Sequence, residues 1–387
     1  MKTRHHTYFE NSKNMAAIPS NSVDLVVTSP PYPMIEIWDR MFAEQHLQIR
    51  NALKSRKSLL AFELMHNQLD EIWREIHRVL KDGGMACINV GDAARTINDN
   101  FMLYPNHARI LSYLIKVGFN TLPLILWRKQ TNAPNKFMGS GMLPSGAYVT
   151  LEHEYILILR KGPKREFKTD AEKKIRRESA LFWEERNIWY SDVWLDLKGT
   201  LQKLDSSSSR LRSAAFPFDV PYRLINMFSV KGDTVLDPFL GTGTSMWAAI
   251  ATARNSIGFE IDQSFRNEIL PDTDVLVKFA NQKIRDRIEH HLEFVQKRLE
   301  TKGQLKYINK FYKFPVMTRQ ETELILNPLV TIAEFGENTV EVVYSCKPHS
   351  DGIQAWKEDF KAQNNISNLK KRRSKKKSQR PIQQKLL

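Results

Sequence analysis

The chain has 387 residues, 42% hydrophobic and 26% charged, with a formal net charge of +15. This supports a substantial core, one large domain plus an appendage, and a polyanionic partner for the excess positive charge. Only Cys87 and Cys346 are present, which excludes a disulfide framework and a cysteine-based zinc site, and no run of about 20 apolar residues or signal peptide appears; an intracellular soluble protein is expected.

In chain order, His5-His6 (like His290-His291 later) lacks suitably spaced carboxylates or cysteines, so surface histidines and no metal are expected. The apolar run Val23 to Val27 predicts a buried strand, and Thr28-Ser29-Pro30-Pro31-Tyr32 ends it, because consecutive prolines continue neither a ladder nor a helix. Such a terminus is either an ordinary strand exit or a clamp, with unclaimed carbonyls and a stacking ring, for a planar amine-bearing group. The amphipathic stretch Glu71 to Leu80 predicts a helix closed by Gly83-Gly84, with a strand from Met85 to Asp92. Leu122 to Trp127 and Tyr155 to Leu159 predict two more strands. Cys87 follows Ala86 inside a strand, which disfavours the nucleophilic cysteine of ring-carbon methylation.

Residues 163–212 are charged and aromatic, with Phe182, Trp183, Trp189, Tyr190 and then Ser206 to Ser209. They read either as a target-recognition insertion or as a structural cover whose rings pack on the core. Thr234 to Asp237 predicts a strand ending in an acid, followed by Pro238-Phe239-Leu240-Gly241-Thr242-Gly243-Thr244 and the helix-forming Trp247 to Ala253. Glycines permit a tight turn and close ligand approach, and a helix amino terminus suits a carboxylate. A second strand from Ser256 carries Glu260 about twenty residues past the glycine turn, the spacing for a carboxylate that binds ribose hydroxyls. Gln282 to Lys302 predicts a charged helix, Thr339 to Tyr344 a strand, and Lys370 to Lys377 belongs to a flexible basic tail.

The two motifs together resemble the DNA amino-methyltransferases, which use S-adenosylmethionine to methylate cytosine N4 or adenine N6. The catalytic pattern (Asp/Asn/Ser)-Pro-Pro-(Tyr/Phe/Trp) is met by Ser29, Pro30, Pro31 and Tyr32. The cofactor pattern is met by Asp237, Phe239, Gly241, Thr242, Gly243 and Thr244. The catalytic motif comes first, as in the group called beta; RNA and protein amino-methyltransferases generally reverse that order. Phe216 to Ile225 resembles the family's helix entry beside the cofactor's methionine end, although Arg212-Ser213 replaces the usual His-Pro. Glu10-Asn11 stands where relatives carry Gly-Asp, so Asn11 is the candidate adenine contact.

The resemblance spans about residues 7–265 and implies an α/β fold. This is a Rossmann-like, mostly parallel seven-stranded sheet with its last strand antiparallel, plus a DNA-recognition region and a small carboxyl-terminal extension. Residues 1–162 are assigned to the catalytic half and 213–265 to the cofactor half; 266–355 form a carboxyl-terminal subdomain and 356–387 the tail. Ser29 and the Pro30 carbonyl are expected to hold the acceptor amine, Tyr32 to stack on an extruded base, and Asp237 to meet the methionine ammonium. Glu260 takes the ribose, while Phe239 shapes the pocket or simply packs in the core. Ser at the first catalytic position favours cytosine N4 in duplex DNA over adenine N6, as family usage rather than physical deduction. An RNA amino-methyltransferase and a catalytically inert nucleic-acid-binding protein are the competing readings. The expected setting is a prokaryotic cytoplasm, at the nucleoid, with a restriction endonuclease as partner and either a monomer or a homodimer.

Overall fold

The computed structural model describes residues 1–129, 138–198, 216–269 and 273–348. Ser206 to Ser209, Arg212-Ser213 and the basic tail lie outside the described residues. One sheet contains eleven strands. They are β1 Lys2–Tyr8, β2 Val23–Thr28, β3 Leu80–Val90, β4 Phe119–Thr121, β5 Ile125–Arg128 and β6 His153–Lys161. The later ones are β7 Val193–Trp194, β8 Thr234–Asp237, β9 Asn255–Phe259, β10 Leu329–Gly336 and β11 Thr339–Tyr344. Their order is β7-β5-β6-β3-β2-β8-β9-β1-β11-β10, with β4 also paired to β6. The helices are α1 Glu36–Gln45, α2 Leu47–Lys54, α3 Ser58–Val79, α4 Asn106–Val117 and α5 Asp170–Glu178. They continue as α6 Trp183–Trp189, α7 Asp219–Phe228, α8 Thr244–Ala251 and α9 Thr273–Lys302.

The stretch of the sheet from β1 to β5 holds seven strands. β3, β2, β8, β9 and β1 are mutually parallel, and β6 runs antiparallel between β3 and β5. The expected count is corrected by β4, β7, β10 and β11, which lie beyond those seven and bring the sheet to eleven. The β10–β11 hairpin pairs antiparallel with β1, which would otherwise expose a row of unpaired amides and carbonyls. Residues 329–344 therefore belong to the sheet itself, with α9 packed on β10 and α8.

Alternation along the strands divides the core in two, as both faces of a parallel sheet require. Leu25, Val27, Cys87 and Val235 face α7, α8 and α9. Val26, Ala86, Ile88 and Leu236 face α3 and α4. In α3 the buried positions Ala61, Met65, Leu69, Ile72, Ile76 and Val79 recur at three- and four-residue spacing, giving one apolar stripe.

Two sequence expectations are corrected here. The helix ends at Val79, and Gly83-Gly84 lie within β3. Gly83 has φ +82°, and a Cβ there would sit 2.7 Å from the Arg165 backbone nitrogen, so it serves a close chain approach and not a helix cap. His5 and His291 are fully buried, not superficial. His5 lies on the inward face of β1, and burial lowers its pKa to about 3, so the ring is neutral. Tyr344 donates to the Ile250 carbonyl at 2.8 Å and so accepts from the Thr3 hydroxyl at 2.9 Å. Thr3 then accepts from His5 Nε2, and His5 Nδ1 accepts from Ser256 Oγ, both at 2.8 Å. His291 is satisfied by Glu184 at 2.7 Å and the Pro315 carbonyl at 3.1 Å.

Phe182, Trp189 and Trp194 are buried, and the indole of Trp194 donates to the Trp189 carbonyl at 3.0 Å. Because β6 runs away from the carboxyl edge, α5 starts at the opposite edge of the sheet. The chain returns toward the carboxyl edge at β7, which is parallel to β5.

Tyr344→Phe removes both hydroxyl contacts that tie the carboxyl-terminal hairpin to β1 and α8. It should cost about 1–3 kcal/mol, read by urea denaturation as a lower midpoint of a single transition with an unchanged slope.

Candidate active site

Strand order reverses between β2 and β8, and their carboxyl ends lie side by side, where open α/β sheets form a ligand crevice. A cleft of about 890 Å³ opens at that edge. Ser29, Pro30, Pro31 and Tyr32 line one part of it; Asp237, Phe239, Gly241, Thr242, Thr244 and Glu260 line another, and Asn11 stands at the rim. Of the residues expected from sequence, Gly243 alone is not in the lining. It is buried at the amino terminus of α8 with φ +83°, where a Cβ would approach Ile269 Cα to 3.1 Å.

Asp237 ends β8 with its carboxylate buried. Its Oδ1 accepts from Thr28 Oγ1 at 2.6 Å and from the Phe239 amide at 3.0 Å, and its Oδ2 accepts from Ser245 Oγ at 2.5 Å. Burial raises its pKa, against the opposing pull of those donors. The last residue of the catalytic strand is thus fastened to the cofactor strand and to α8. A methionine ammonium would meet a carboxylate already held by three internal donors.

Glu260 follows β9. Each oxygen accepts one amide at 2.8 Å, Oε2 from Gly241 and Oε1 from Asp262, and burial raises its pKa. Each oxygen keeps a further lone pair, and the group faces the cleft, which suits a diol. The glycine loop is equally open: Gly241 has φ +55° and nothing within 4 Å of its missing Cβ. Phe239 is half-buried, its ring 6.1 Å from that of Trp73, so it is both cleft wall and core edge. Asn11 is exposed and turns its carbonyl oxygen to the Lys13 amide at 3.0 Å, leaving its amide nitrogen for an adenine edge.

On the other side, the Ser29 hydroxyl lies 2.9 Å from the Tyr32 hydroxyl, which donates to Glu154 Oε2 at 3.1 Å. Asn89 Nδ2 donates to Tyr32 at 3.0 Å and to Glu154 at 2.6 Å, and Lys129 Nζ donates to Glu154 Oε1 at 3.0 Å. Burial and then the Glu154 charge push the Tyr32 phenol well above the ordinary tyrosine range, so it stays a neutral hydroxyl. Glu154, Asn89 and Lys129 escaped sequence reasoning. The available signal was a polar residue inside each of two apolar strands, Asn89 after Ile88 and Glu154 before Tyr155.

Among the described residues no group of His, Cys, Asp and Glu is arranged to hold a metal, and no helix is long and apolar enough to cross a membrane. Cys87 is buried, and burial pushes its thiol far above the usual range, away from nucleophilic use.

A doubly wound sheet whose glycine loop and acid-ended strands face a proline-bounded aromatic motif defines a nucleotide-cofactor enzyme of the Rossmann-like kind. Residues 23–271 match the DNA methylase family of N6/N4 amino-methyltransferases. A type II methyltransferase, M.MthZI of Methanothermobacter thermautotrophicus, is 50% identical over 345 residues, covering 89% of this chain and 96% of its own. Type II methyltransferase M.MjaI of Methanocaldococcus jannaschii is 49% identical over 277 residues, 68% of this chain and 89% of its own. Among solved structures, a candidate DNA modification methylase from Thermus thermophilus, complexed with S-adenosyl-L-methionine, is 30% identical with a TM-score of 0.53. That match covers 71% of this chain and 95% of the other. The chain belongs to the DNA methylase family: it is a beta-class DNA methyltransferase of the restriction-modification type, dependent on S-adenosylmethionine.

Thr28→Val removes the hydroxyl that holds Asp237 Oδ1 while keeping the side-chain shape. A lost hydrogen bond to a buried charged group costs about 1.5–3 kcal/mol. The measured denaturation free energy should fall by that amount, and Thr28→Ser should recover most of it.

Proposed function

We propose that the chain transfers a methyl group to N4 of cytosine in duplex DNA at a specific site, and so protects host DNA from a restriction endonuclease acting on that site. The observation that carries this reading is the Thr28–Asp237 hydrogen bond, which puts the Ser29–Tyr32 clamp and the glycine loop in one cleft. Ser29 at the first clamp position supports cytosine over adenine, by the usage of the family.

S-adenosylmethionine supplies an electrophilic methyl on a sulfonium, so the chain's own task is alignment. Ser29 Oγ and the Pro30 carbonyl accept hydrogen bonds from the two N–H groups of the exocyclic amine, which favours a pyramidal nitrogen with an available lone pair. Serine is a weak base, so its role is orientation and not proton abstraction. The Tyr32 face stacks on the base, which must leave the duplex because its amine is inaccessible in the stack. Gly241 to Thr244 and the amino terminus of α8 would hold the cofactor carboxylate, Asp237 would offset the ammonium charge, Glu260 would bind the ribose, and Asn11 would meet the adenine. The exposed Met142, Leu143 and Val149 stand between β5 and β6, two strands that meet at the carboxyl edge of the sheet, and suit a duplex opened around an extruded base.

Plasmid DNA treated with the purified chain and S-adenosylmethionine should yield N4-methylcytosine on nucleoside mass spectrometry. N6-methyladenine without N4-methylcytosine would replace this reading with the adenine one, and preference for structured RNA over duplex DNA would replace it with an RNA enzyme.

Cofactor affinity should also depend on pH through Glu260. The diol needs its charged form, and burial raises the pKa at which that form is lost. Calorimetric affinity should weaken on acidification with an onset above the ordinary carboxylate range. Glu260→Gln should bind about tenfold more weakly, on the order of one lost hydrogen bond to a charged group, and lose that pH dependence.

A further inference from the structure

We propose that Glu154 is a positioning residue that fixes the direction of the Ser29 hydroxyl, turning the clamp into an obligate hydrogen-bond acceptor; this rests on the amine-methylating reading above. Glu154 is the second residue of β6, its side chain only 12% exposed. Three donors converge on its two oxygens: the Lys129 ammonium, the Asn89 amide nitrogen and the Tyr32 hydroxyl. Neither the ammonium nor an amide nitrogen accepts a hydrogen bond, so the carboxylate accepts from both, and this also sets the Asn89 amide with its nitrogen toward Glu154.

The consequences run outward one bond at a time. The single Tyr32 hydroxyl hydrogen is committed to Glu154. The Tyr32 oxygen is then left to accept, from Asn89 Nδ2 at 3.0 Å and from Ser29 Oγ at 2.9 Å. Ser29 is therefore the donor in that contact, and its own hydrogen is taken up by the Tyr32 oxygen. What Ser29 presents to a substrate is lone pairs. An exocyclic amine brings N–H donors to those lone pairs; an unprotonated ring nitrogen or a carbonyl brings only acceptors and is turned away. Glu154 thus supplies the donor–acceptor sense of the clamp from three groups back, without touching the base.

Backbone placement makes room for this chain of bonds. Gly91 follows β3 beside Glu154, and a Cβ there would press on Tyr32 Cε2 at 3.0 Å and Glu154 Cγ at 3.4 Å. The missing side chain is what allows the ring of Tyr32 and the carboxylate of Glu154 to meet. In the isosteric Glu154→Gln variant one oxygen becomes an NH₂ group. That group either opposes the Lys129 ammonium or donates to Tyr32, and the second arrangement reverses the whole series.

The test uses the full chain, S-adenosylmethionine and unmethylated plasmid DNA, and compares single-turnover methyl-transfer rates with cofactor and DNA affinities. Glu154→Gln should slow transfer 10- to 100-fold while both affinities stay within twofold and the melting temperature is kept. Tyr32→Phe, which retains the stacking face, should show a similar loss, and the double variant should be no slower than the slower single one, because both break one series. Glu154→Asp should recover part of the rate. Lys129→Met should slow transfer much less than Glu154→Gln, which separates hydroxyl positioning from simple ion pairing. If Glu154→Gln does not fold, Glu154→Asp and Tyr32→Phe carry the same comparison. A Glu154→Gln rate within threefold of wild type would overturn the inference, as would losses that multiply in the double variant or that appear equally in cofactor affinity. A wild-type chain that labels no DNA would sink the parent reading together with this one; an active wild type with an indifferent Glu154→Gln sinks this one alone.

Discussion

The buried carboxylate of Asp237 is the constraint on which the remainder of the molecule depends. Its charge is far from water and tolerable only because Thr28, Ser245 and the Phe239 amide all donate to it. Each donor belongs to a different part of the working edge: the end of β2, the start of α8, and the loop between β8 and α8. Satisfying one charge therefore fixes the relative placement of three segments, the first of which supplies a donor 209 residues from Asp237 in the chain. The acceptor motif and the cofactor loop need no direct contact to be aligned, because both are hung from the same group.

Chain order matters less than sheet order for such a site. β2 and β8 are neighbours in the sheet although most of the catalytic half is threaded between them. A cleft of this kind forms wherever two parallel strands end together with a loop turning each way. Buried His5 belongs to the same logic, where Thr3, His5, Ser256 and Tyr344 hand one hydrogen bond to the next across β9, β1 and β11. Polar groups are carried inside the sheet there only because the series is complete.

Much of this was legible in the sequence, for local reasons. Apolar runs ended by prolines or by an acid and glycines mark β2 and β8, and Glu260 stands at its expected distance from the glycine loop. The segments Ser29 to Tyr32 and Asp237 to Thr244, which supply most of the expected cleft residues, are each contiguous, so a short pattern names them. Glu154 and Asn89 are not contiguous. They meet through antiparallel pairing of β6 with β3, and nothing in either strand announces the other. The same limitation hid the fate of Gly83, whose conformation answers to Arg165, and of His5, whose inward direction depends on the strands on either side. The seven-stranded expectation fell short because a hairpin that joins the sheet from residues 329–344 looks, in sequence, like a separate unit.

The position of β1 has a consequence for how the protein comes to exist. β1 is made first, yet both strands that flank it, β9 and β11, come from residues 255–259 and 339–344. At synthesis rates of roughly 5–20 residues per second, the first strand waits on the order of 10–50 s for its nearer partner. During that interval its ladder edges and the apolar ends of the half-built sheet are open to other chains. Contacts of such long sequence separation also make the final assembly slow. The first strand of the acceptor half is thus completed only when β9 and β11, both made later, have paired with it.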